Sequence, residues 1–218
     1  GPVQARKFSW SVTACRAIAA MEALHAVREP APAPALPERR PRLAYISPLP
    51  PEKSGISDYS AEILPALSQH YELEVVVAQE EVTDPWIKAH CPVRDVAYFK
   101  AHSAQYDRVL YHFGNSSFHQ HMFDLLDEHP GVVVLHDFFL SGIVAHMDVR
   151  GLNPHGWARA LYRAHGYKAV SERFHARDTA DVVWAYPSNL EVLQRALGVI
   201  VHSSYSRRLA QAWYGRAA

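Results

Sequence analysis

The chain has 218 residues, of which 49% are hydrophobic and 20% charged, and its 22 basic side chains balance 22 acidic ones. This length and composition predict one main domain with a sizeable core and exclude a chain that is disordered over most of its length. Lysine and arginine are scattered rather than clustered. We therefore expect no nucleic-acid partner, because nucleic-acid binders concentrate positive charge on one face.

Cysteine and histidine usage bounds the chemistry further. The only cysteines, Cys15 and Cys91, lie in unrelated segments, which predicts neither a disulfide framework nor a zinc site. The 14 histidines include no His-x-x-x-His pair, so we expect no bound metal. No apolar run approaches the roughly 20 residues of a membrane span, and no signal peptide is evident. These features favour a cytoplasmic protein.

Three short regions precede the main domain. Residues 1–2, Gly-Pro, are typical of the remnant that a protease leaves after recombinant expression. Residues 3–28 predict an amphipathic helix, since apolar side chains recur at helical spacing from Phe8 to Val27 and Ser9 is a suitable N-cap. The alternating prolines of residues 29–41 predict an extended linker.

Residues 42–218 predict an α/β fold, a Rossmann-like open parallel sheet with helices on both faces, because short apolar runs alternate with longer helical periods. The predicted strands are Arg42 to Ser47, Leu73 to Ala78, Val93 to Tyr98, Val109 to Phe113, Val132 to His136 and Gly198 to His202. The predicted helices are Ser57 to Gln69, Ser117 to His129, Leu140 to Asp148, His155 to His165, a segment after Tyr167, and Ser204 to Tyr214.

The turn-rich loop after the first strand leads into a helix at Ser54, Gly55 and Ile56. Glycine permits close backbone approach, and the free N–H groups at a helix start can hold a phosphate. The alternative is that Ser57 or Asp58 caps the helix and Gly55 only makes the turn. No G-x-G-x-x-G sequence is present, which argues against an NAD-dependent dehydrogenase.

Two further strand ends carry polar side chains. The run Val132 to Leu135 is followed directly by His136 and Asp137, a donor and an acceptor that can orient a sugar hydroxyl. The alternative is a histidine that bonds to backbone at the strand end. Ligands of open α/β sheets bind beyond the carboxyl ends of the strands, so both residues are site candidates.

The run Tyr111 to Phe113 ends in Gly114, Asn115 and Ser116. Asn115 is a candidate groove residue, and Ser116 is the better candidate for a helix cap. His119 and His121 follow two positions apart, on different helix faces, and are interpreted as surface histidines. Near the end of the chain, Arg207 can meet a phosphate or lipid head group or simply lie on a solvated helix face.

Taken in order, four segments resemble the N-terminal domain of retaining, family 4 glycosyltransferases of the GT-B fold. They are Arg42 to Pro51, Ser54 to Tyr59, Val133 to Asp137 and Val199 to Ser203. The segment Tyr111 to Ser116 is similar to the bacterial branch that builds surface polysaccharides. The resemblance covers Arg42 to Ala218 and implies transfer of a hexose, by a mannosyltransferase or similar enzyme, from a nucleotide-diphosphate sugar to a glycan or lipid-linked acceptor without a metal.

The resemblance also implies roles for individual residues. Ser54, Gly55 and Ile56 would lie against the donor diphosphate, and His136, with Asp137, would lie near the reacting sugar. The acceptor-side candidates are Asp58, Tyr59, Asn115, His202 and Arg207. A lipid-linked acceptor would place the protein at the inner face of the cytoplasmic membrane.

In this family a C-terminal domain of the same chain holds most of the donor through a Glu, seven residues, Glu motif, so we expect these 218 residues to be inactive alone. The leading Phe8-Ser9-Trp10 resembles the C-terminal helix of a preceding glycosyltransferase module, although Ser11 stands where the family has Glu. The alternative is a helix that simply packs on the domain. The competing function is a non-catalytic carbohydrate-binding or scaffolding module of a polysaccharide assembly protein.

Overall fold

The computed structural model describes residues 10–28 and 39–215. Its strands are β1 (Arg42–Ile46), β2 (Glu72–Val77), β3 (Val93–Asp95), β4 (Arg108–Phe113), β5 (Val132–Leu135) and β6 (Gly198–Val201). Its helices are α1 (Trp10–Arg28), α2 (Gly55–Leu67), α3 (Pro85–His90), α4 (Val96–His102), α5 (His121–Glu128), α6 (Ser141–Val149), α7 (Gly156–His175), α8 (Thr179–Ala185), α9 (Leu190–Arg195) and α10 (Ser204–Tyr214). The predicted Gly1-Pro2 remnant, the Ser9 cap and most of the predicted linker lie outside the described residues.

The six described strands form one parallel sheet in the order β3-β2-β1-β4-β5-β6. This confirms the predicted Rossmann-like α/β fold. The chain builds outward from β1 to β3 and then crosses back to place β4 on the other side of β1, where Ile46 is in register with Tyr111. In such sheets the crevice between the two innermost strands, at their carboxyl ends, is the usual ligand site.

Alternate strand residues face two separate cores, as expected of a sheet that is covered on both sides. Leu43 and Tyr45 of β1 pack with side chains of α1, α2 and α3. Ala44 and Ile46 face the opposite core, to which the helices from α4 to α9 contribute buried side chains and α10 contributes partly buried ones. The sheet is therefore the middle layer of three.

Helix α1 supplies a part of this cover that the crossover helices do not. Its Ala14, Ala17 and Met21 are buried, and Ala14 and Met21 belong to the core that includes Leu110 of β4 and Val134 of β5. The helix packs beside α2 and reaches β6. The helical periodicity predicted for this segment is thus confirmed, and the helix packs on the domain; an origin in a preceding module stays a prediction.

One predicted strand is wrong over half its length. The expected strand from Val93 to Tyr98 ends at Asp95, and α4 begins at Val96. Asp95 is the reason, because its carboxylate Oδ1 accepts the backbone N–H of Tyr98 at 2.6 Å and so caps the helix. An aspartate at this position satisfies an N–H that a continuing strand would have left for a neighbouring strand.

The helical regions also differ from the prediction in detail. The expected helix from Ser117 to His129 is a short 3-10 turn, Ser117–His119, followed by α5. The two segments expected on either side of Gly166 form the single long α7, interrupted at Gly166, whose φ is 76°. Helices α3, α8 and α9 were not predicted from sequence. None of the described helices has the length and apolarity that a bilayer span requires.

Candidate functional site

Polar side chains from three neighbouring strands meet at the carboxyl edge of the sheet. His112 lies near the end of β4, His136 directly follows β5, and His202 directly follows β6. The parallel register places Phe113 beside Leu135 and Leu135 beside Val201, which brings the three strand ends level. The sequence predicted His136 and His202 as site residues, and the structure brings them together.

The three histidines are joined by hydrogen bonds into what we call the histidine chain: His112, His136 and His202. His112 Nδ1 lies 2.9 Å from His136 Nε2, and His136 Nδ1 lies 3.0 Å from His202 Nε2. Both ring nitrogens of His136 are therefore occupied. His112 is the buried end and His202 the exposed end of the chain.

His112 is a site residue that sequence reasoning missed. It stands between apolar neighbours inside a predicted strand, and only 1% of its surface is exposed. The sequence did show that His112 is a titratable residue one position before the end of a predicted buried strand. A buried histidine needs hydrogen-bond partners, and a second strand-end histidine was the nearest candidate.

Tyr59 of α2, one of the acceptor-side candidates, packs against the histidine chain. Its ring lies nearly perpendicular to those of His136 and His202, with centroids 4.9 and 5.3 Å away. Below it, the Tyr45 ring lies 4.4 Å from that of His112, and the Tyr45 hydroxyl donates to Ser60 Oγ at 3.0 Å. The aromatic rings fix the orientation of the imidazoles.

Burial keeps the histidine chain uncharged. Desolvation, with a smaller contribution from His202, lowers the pKa of His136 to about 3. The same cause, reinforced by the neighbouring histidines, lowers the pKa of His112 well below 6.5, and desolvation lowers that of His202. At neutral pH the histidine chain therefore acts through directed hydrogen bonds between neutral rings rather than through positive charge.

Asp137 and Asn115 hold the loop beside the histidine chain. The backbone N–H of Asn115 donates to Asp137 Oδ2 at 2.8 Å, and Asn115 Oδ1 accepts from the N–H of Ile143 at 2.9 Å. Asn115 thereby satisfies an N–H in the first turn of α6. Ser116, the residue favoured for capping, makes no side-chain cap hydrogen bond. Asp137 remains exposed to solvent beside the site.

The interpretation of His119 and His121 as surface histidines was wrong. His119 is fully buried, and its Nδ1 lies 2.8 Å from the His112 carbonyl oxygen. His121 is half-buried. The 3-10 turn that precedes α5 places both side chains under the strand end, where desolvation lowers the pKa of each to about 4.

The start of α2 lies open at the same edge. Ser54 is the N-cap, with its Oγ accepting from the N–H of Ile56 at 3.2 Å, so the alternative in which Ser57 or Asp58 caps the helix was wrong. The N–H of Asp58 donates to the Ser54 carbonyl. Gly55 is exposed, with no atom within 4 Å of where a Cβ would lie. A ligand can therefore approach the backbone there, and Asp58 is exposed one turn further on.

Unpartnered polar atoms are concentrated at this edge. Of the nine buried side-chain atoms without a hydrogen-bond partner among the described residues, five belong to residues here. They are Ser57 Oγ, His112 Nε2, Ser116 Oγ, His119 Nε2 and His121 Nε2. Because buried polar atoms are nearly always paired, this concentration distinguishes the carboxyl edge from the rest of the described chain.

Cavities lie at both edges of the sheet. A cavity of about 200 Å³ opens at the carboxyl edge between the loops that follow β1, β2 and β4, where it reaches Glu52, Gln79 and His121. A larger one, of about 790 Å³, opens at the amino edge. In the larger cavity Arg42 pairs with Glu74, and Arg39 pairs with Asp107. We therefore take the carboxyl edge, where the unpartnered polar atoms are concentrated, as the candidate site.

Arg207 is exposed on α10 and makes no ion pair within the described part of the chain. No contact among these residues brings it to the histidine chain. Residues 10–28 and 39–215 contain no group of three or more His, Cys, Asp or Glu side chains placed to hold a metal ion. Comparisons of the chain with protein-family models, with curated proteins and with solved structures find no match.

Proposed function

We propose that this chain is the acceptor-side domain of a retaining GT-B glycosyltransferase of the family 4 type. The observation that carries the proposal is spatial: the open start of α2 and the histidine chain, which belong to separate segments of the resemblance, meet at the carboxyl edge of a Rossmann-like sheet. This is the edge at which sheets of this topology bind their ligands.

The start of α2 supports the assignment of a diphosphate contact. The helix runs for 13 residues from Gly55, and the N-terminus of such a helix carries a partial positive charge. The N–H groups of Ile56 and Asp58 already bond to Ser54, so the contact with the phosphate is assigned to the backbone of the exposed Gly55. Ser54 holds the first turn in place, and the lack of a side chain at Gly55 leaves room for phosphate oxygens. Ile56 packs behind this turn, close to Gly114.

The histidine chain supports the assignment of a sugar contact. Neutral imidazoles form directed hydrogen bonds, and Tyr59 packs against the rings of His136 and His202 and holds them in place. In the proposed reaction the bond between the sugar C1 and the phosphate oxygen breaks, and the acceptor hydroxyl oxygen bonds to C1 on the same face. The hydroxyl proton leaves to a phosphate oxygen. The residues at this edge hold the two substrates in position for that exchange.

The wider proposal follows from the same resemblance. The substrates are a nucleotide-diphosphate hexose and a glycan or lipid-linked acceptor for surface polysaccharide, and a C-terminal domain of the same full-length chain supplies most of the donor contacts. A lipid-linked acceptor would place the reaction at the inner face of the cytoplasmic membrane.

A transfer assay on the full-length protein tests the proposal. The protein is given a panel of nucleotide sugars and a polysaccharide acceptor, and product is detected by mass spectrometry. We expect the wild type to transfer sugar. His136→Ala should lower kcat/KM by about 100-fold or more, because the His136 ring bonds to both His112 and His202. His70→Ala, which changes an exposed histidine outside the carboxyl edge, should have little effect.

The same variants distinguish the enzyme from the scaffold alternative. Binding of acceptor glycan without transfer of any sugar, with no difference between His136→Ala and His70→Ala, would replace the enzyme by a carbohydrate-binding module. Binding of neither substrate class would remove both functions.

A further inference from the structure

We propose that His112 fixes, through His136, the proton position on His202, so that His202 presents Nδ1–H as a hydrogen-bond donor to a ligand oxygen. In this arrangement His202 is the member of the histidine chain that contacts the ligand. His112 and His136 are positioning residues, because His136 has both ring nitrogens engaged and His112 is buried.

The connectivity of the chain leaves two proton arrangements. A neutral imidazole carries one N–H and one bare nitrogen, and each hydrogen bond needs one of each. Each link joins Nδ1 of one ring to Nε2 of the next. Either all three rings carry their proton on Nδ1 and donate outward, or all three carry it on Nε2 and donate inward. A mixed arrangement would set two N–H groups or two lone pairs against each other.

The buried end selects between the two arrangements. Nε2 of His112 has no partner, and the ring is 1% exposed. In the inward arrangement this nitrogen would carry a buried N–H with no acceptor, and orphaned buried donors are rarer in proteins than unsatisfied acceptors. In the outward arrangement it is a bare nitrogen. The geometry therefore points to Nδ1–H on His112, His136 and His202 alike.

At the exposed end of the histidine chain, this proton arrangement provides a hydrogen-bond donor for a ligand. Nε2 of His202 accepts from His136, which leaves Nδ1–H of His202 free at the carboxyl edge, in a residue that is exposed to solvent. An N–H donor there selects ligand oxygens with free lone pairs, which phosphates and sugar hydroxyls both provide. This ligand assignment rests on the proposed function, whereas the tautomer arrangement does not.

The tautomers are read directly by NMR of the ligand-free protein with ¹⁵N-labelled histidine, since long-range ¹H–¹⁵N correlations distinguish Nδ1–H from Nε2–H. Isolated neutral histidine prefers Nε2–H, so three Nδ1–H tautomers in one chain are a specific expectation. A predominantly Nε2–H tautomer at His202 would overturn the proposal, whatever the protein's substrate.

Two substitutions at the buried end separate positioning from packing. His112→Met places an acceptor without a donor opposite His136 Nε2, and His112→Phe offers neither. We expect His202 to change to Nε2–H in His112→Met, because His136 Nε2 must then donate. We expect it to stay Nδ1–H in His112→Phe, because the buried His136 Nε2 is then best left bare. Methyl spectra check that both variants are folded. If His112→Met leaves the His202 tautomer unchanged, or if both variants change it equally, His112 does not set it.

The ligand arm uses inorganic diphosphate and methyl α-mannoside as separate probes. The probe whose oxygen accepts from His202 should shift the His202 Nδ1 signal and bind about tenfold more weakly to His202→Ala, the value of one hydrogen bond. Shifts with diphosphate alone identify a phosphate contact, and shifts with the glycoside alone a hydroxyl contact. Failure of both probes, with the three Nδ1–H tautomers present, would count against the ligand assignment and the proposed function but not against the tautomer arrangement.

Discussion

Trp10, the first described residue of α1, lies nearly perpendicular to Tyr59 of α2, with ring centroids 5.0 Å apart and an interplanar angle of 71°. Tyr59 lies in the same way against His136 and His202. The N-terminal end of α1, the helix that covers one face of the sheet, therefore lies beside the candidate site. This contact connects a feature that the sequence placed outside the main domain to the side chains that define its function.

Substitution of Trp10 by alanine should loosen Tyr59 and disturb the histidine chain. Burial raises the pKa of Tyr59 to about 12, and removal of the indole admits water beside the phenol ring, so this pKa should fall toward its usual value near 10. Tyrosine ¹³Cζ signals followed through an alkaline titration measure the change. Cys15→Ala, an exposed position of the same helix, should leave both the Tyr59 and the His202 signals in place.

The cover that α1 provides should make a measurable contribution to stability. Met21 is 1% exposed within the core that contains Leu110 and Val134, so Met21→Ala should lower the free energy of unfolding by about 2–4 kcal/mol, the range for large-to-small core substitutions. Urea unfolding followed by circular dichroism measures the change. The matched control is again Cys15→Ala, for which we expect a change within about 0.5 kcal/mol. Equal effects of the two variants would show that α1 does not cover the sheet.

The buried histidines should make the protein sensitive to acid. His119 and His121 have pKa values of about 4, and His136 of about 3, below the 6.5 of an exposed histidine. As the pH falls below about 6.5, the unfolded chain binds protons that the folded chain refuses, so stability is lost from there down to the folded-state values. Each such histidine should remove about 1–2 kcal/mol between about pH 7 and about pH 5.

Urea unfolding at a series of pH values measures this slope. His119→Asn removes one titrating ring but keeps a side-chain donor that can reach the His112 carbonyl, so the variant should show a shallower loss of stability than the wild type. A wild-type stability that stays level down to about pH 5 would mean that these rings are protonated in the folded protein, contrary to their burial.

The sheet was predictable because its information is local. Runs such as Val132 to Leu135 are long enough, and apolar enough on both faces, to indicate a buried parallel strand. The end of β3 was missed because the sequence from Val93 to Tyr98 is compatible both with a continuing strand and with a helix that starts after Asp95. The hydrogen bond from the Tyr98 N–H to Asp95 shows that the helix forms.

The site was predictable only in its parts. His136 was selected at a predicted strand end, and His202 and Tyr59 were selected through the family resemblance. The link between His136 and His202 depends on β5 and β6 being neighbours, and the linked rings are 66 residues apart in the sequence. His112 was missed because an isolated histidine in an apolar strand carries no pattern. The role of α1 was open for a similar reason, since helical periodicity says that one face is buried but not against what.

Two glycines at the candidate site should respond to alanine in opposite ways. At Gly114 an added Cβ would lie 2.3 Å from Ile56 Cδ1 and 2.8 Å from His119 Nε2. The first atom can move away, but His119 is held by the His112 carbonyl, so we expect Gly114→Ala to cost about 1–3 kcal/mol of stability through overpacking. At Gly55 no atom lies within 4 Å of the new Cβ, and alanine favours the helix, so Gly55→Ala should leave stability unchanged or raise it by up to about 1 kcal/mol.

Diphosphate binding should be weakened by Gly55→Ala and not by Gly114→Ala, because Gly55 lies where the proposed donor diphosphate approaches the backbone and Gly114 does not. Isothermal titration with inorganic diphosphate, paired with urea unfolding of the same samples, measures both properties. We expect Gly55→Ala to weaken diphosphate binding about tenfold or more while the fold stays intact. Unchanged binding in Gly55→Ala would remove the diphosphate contact from the start of α2, since a methyl group there has only the ligand to collide with.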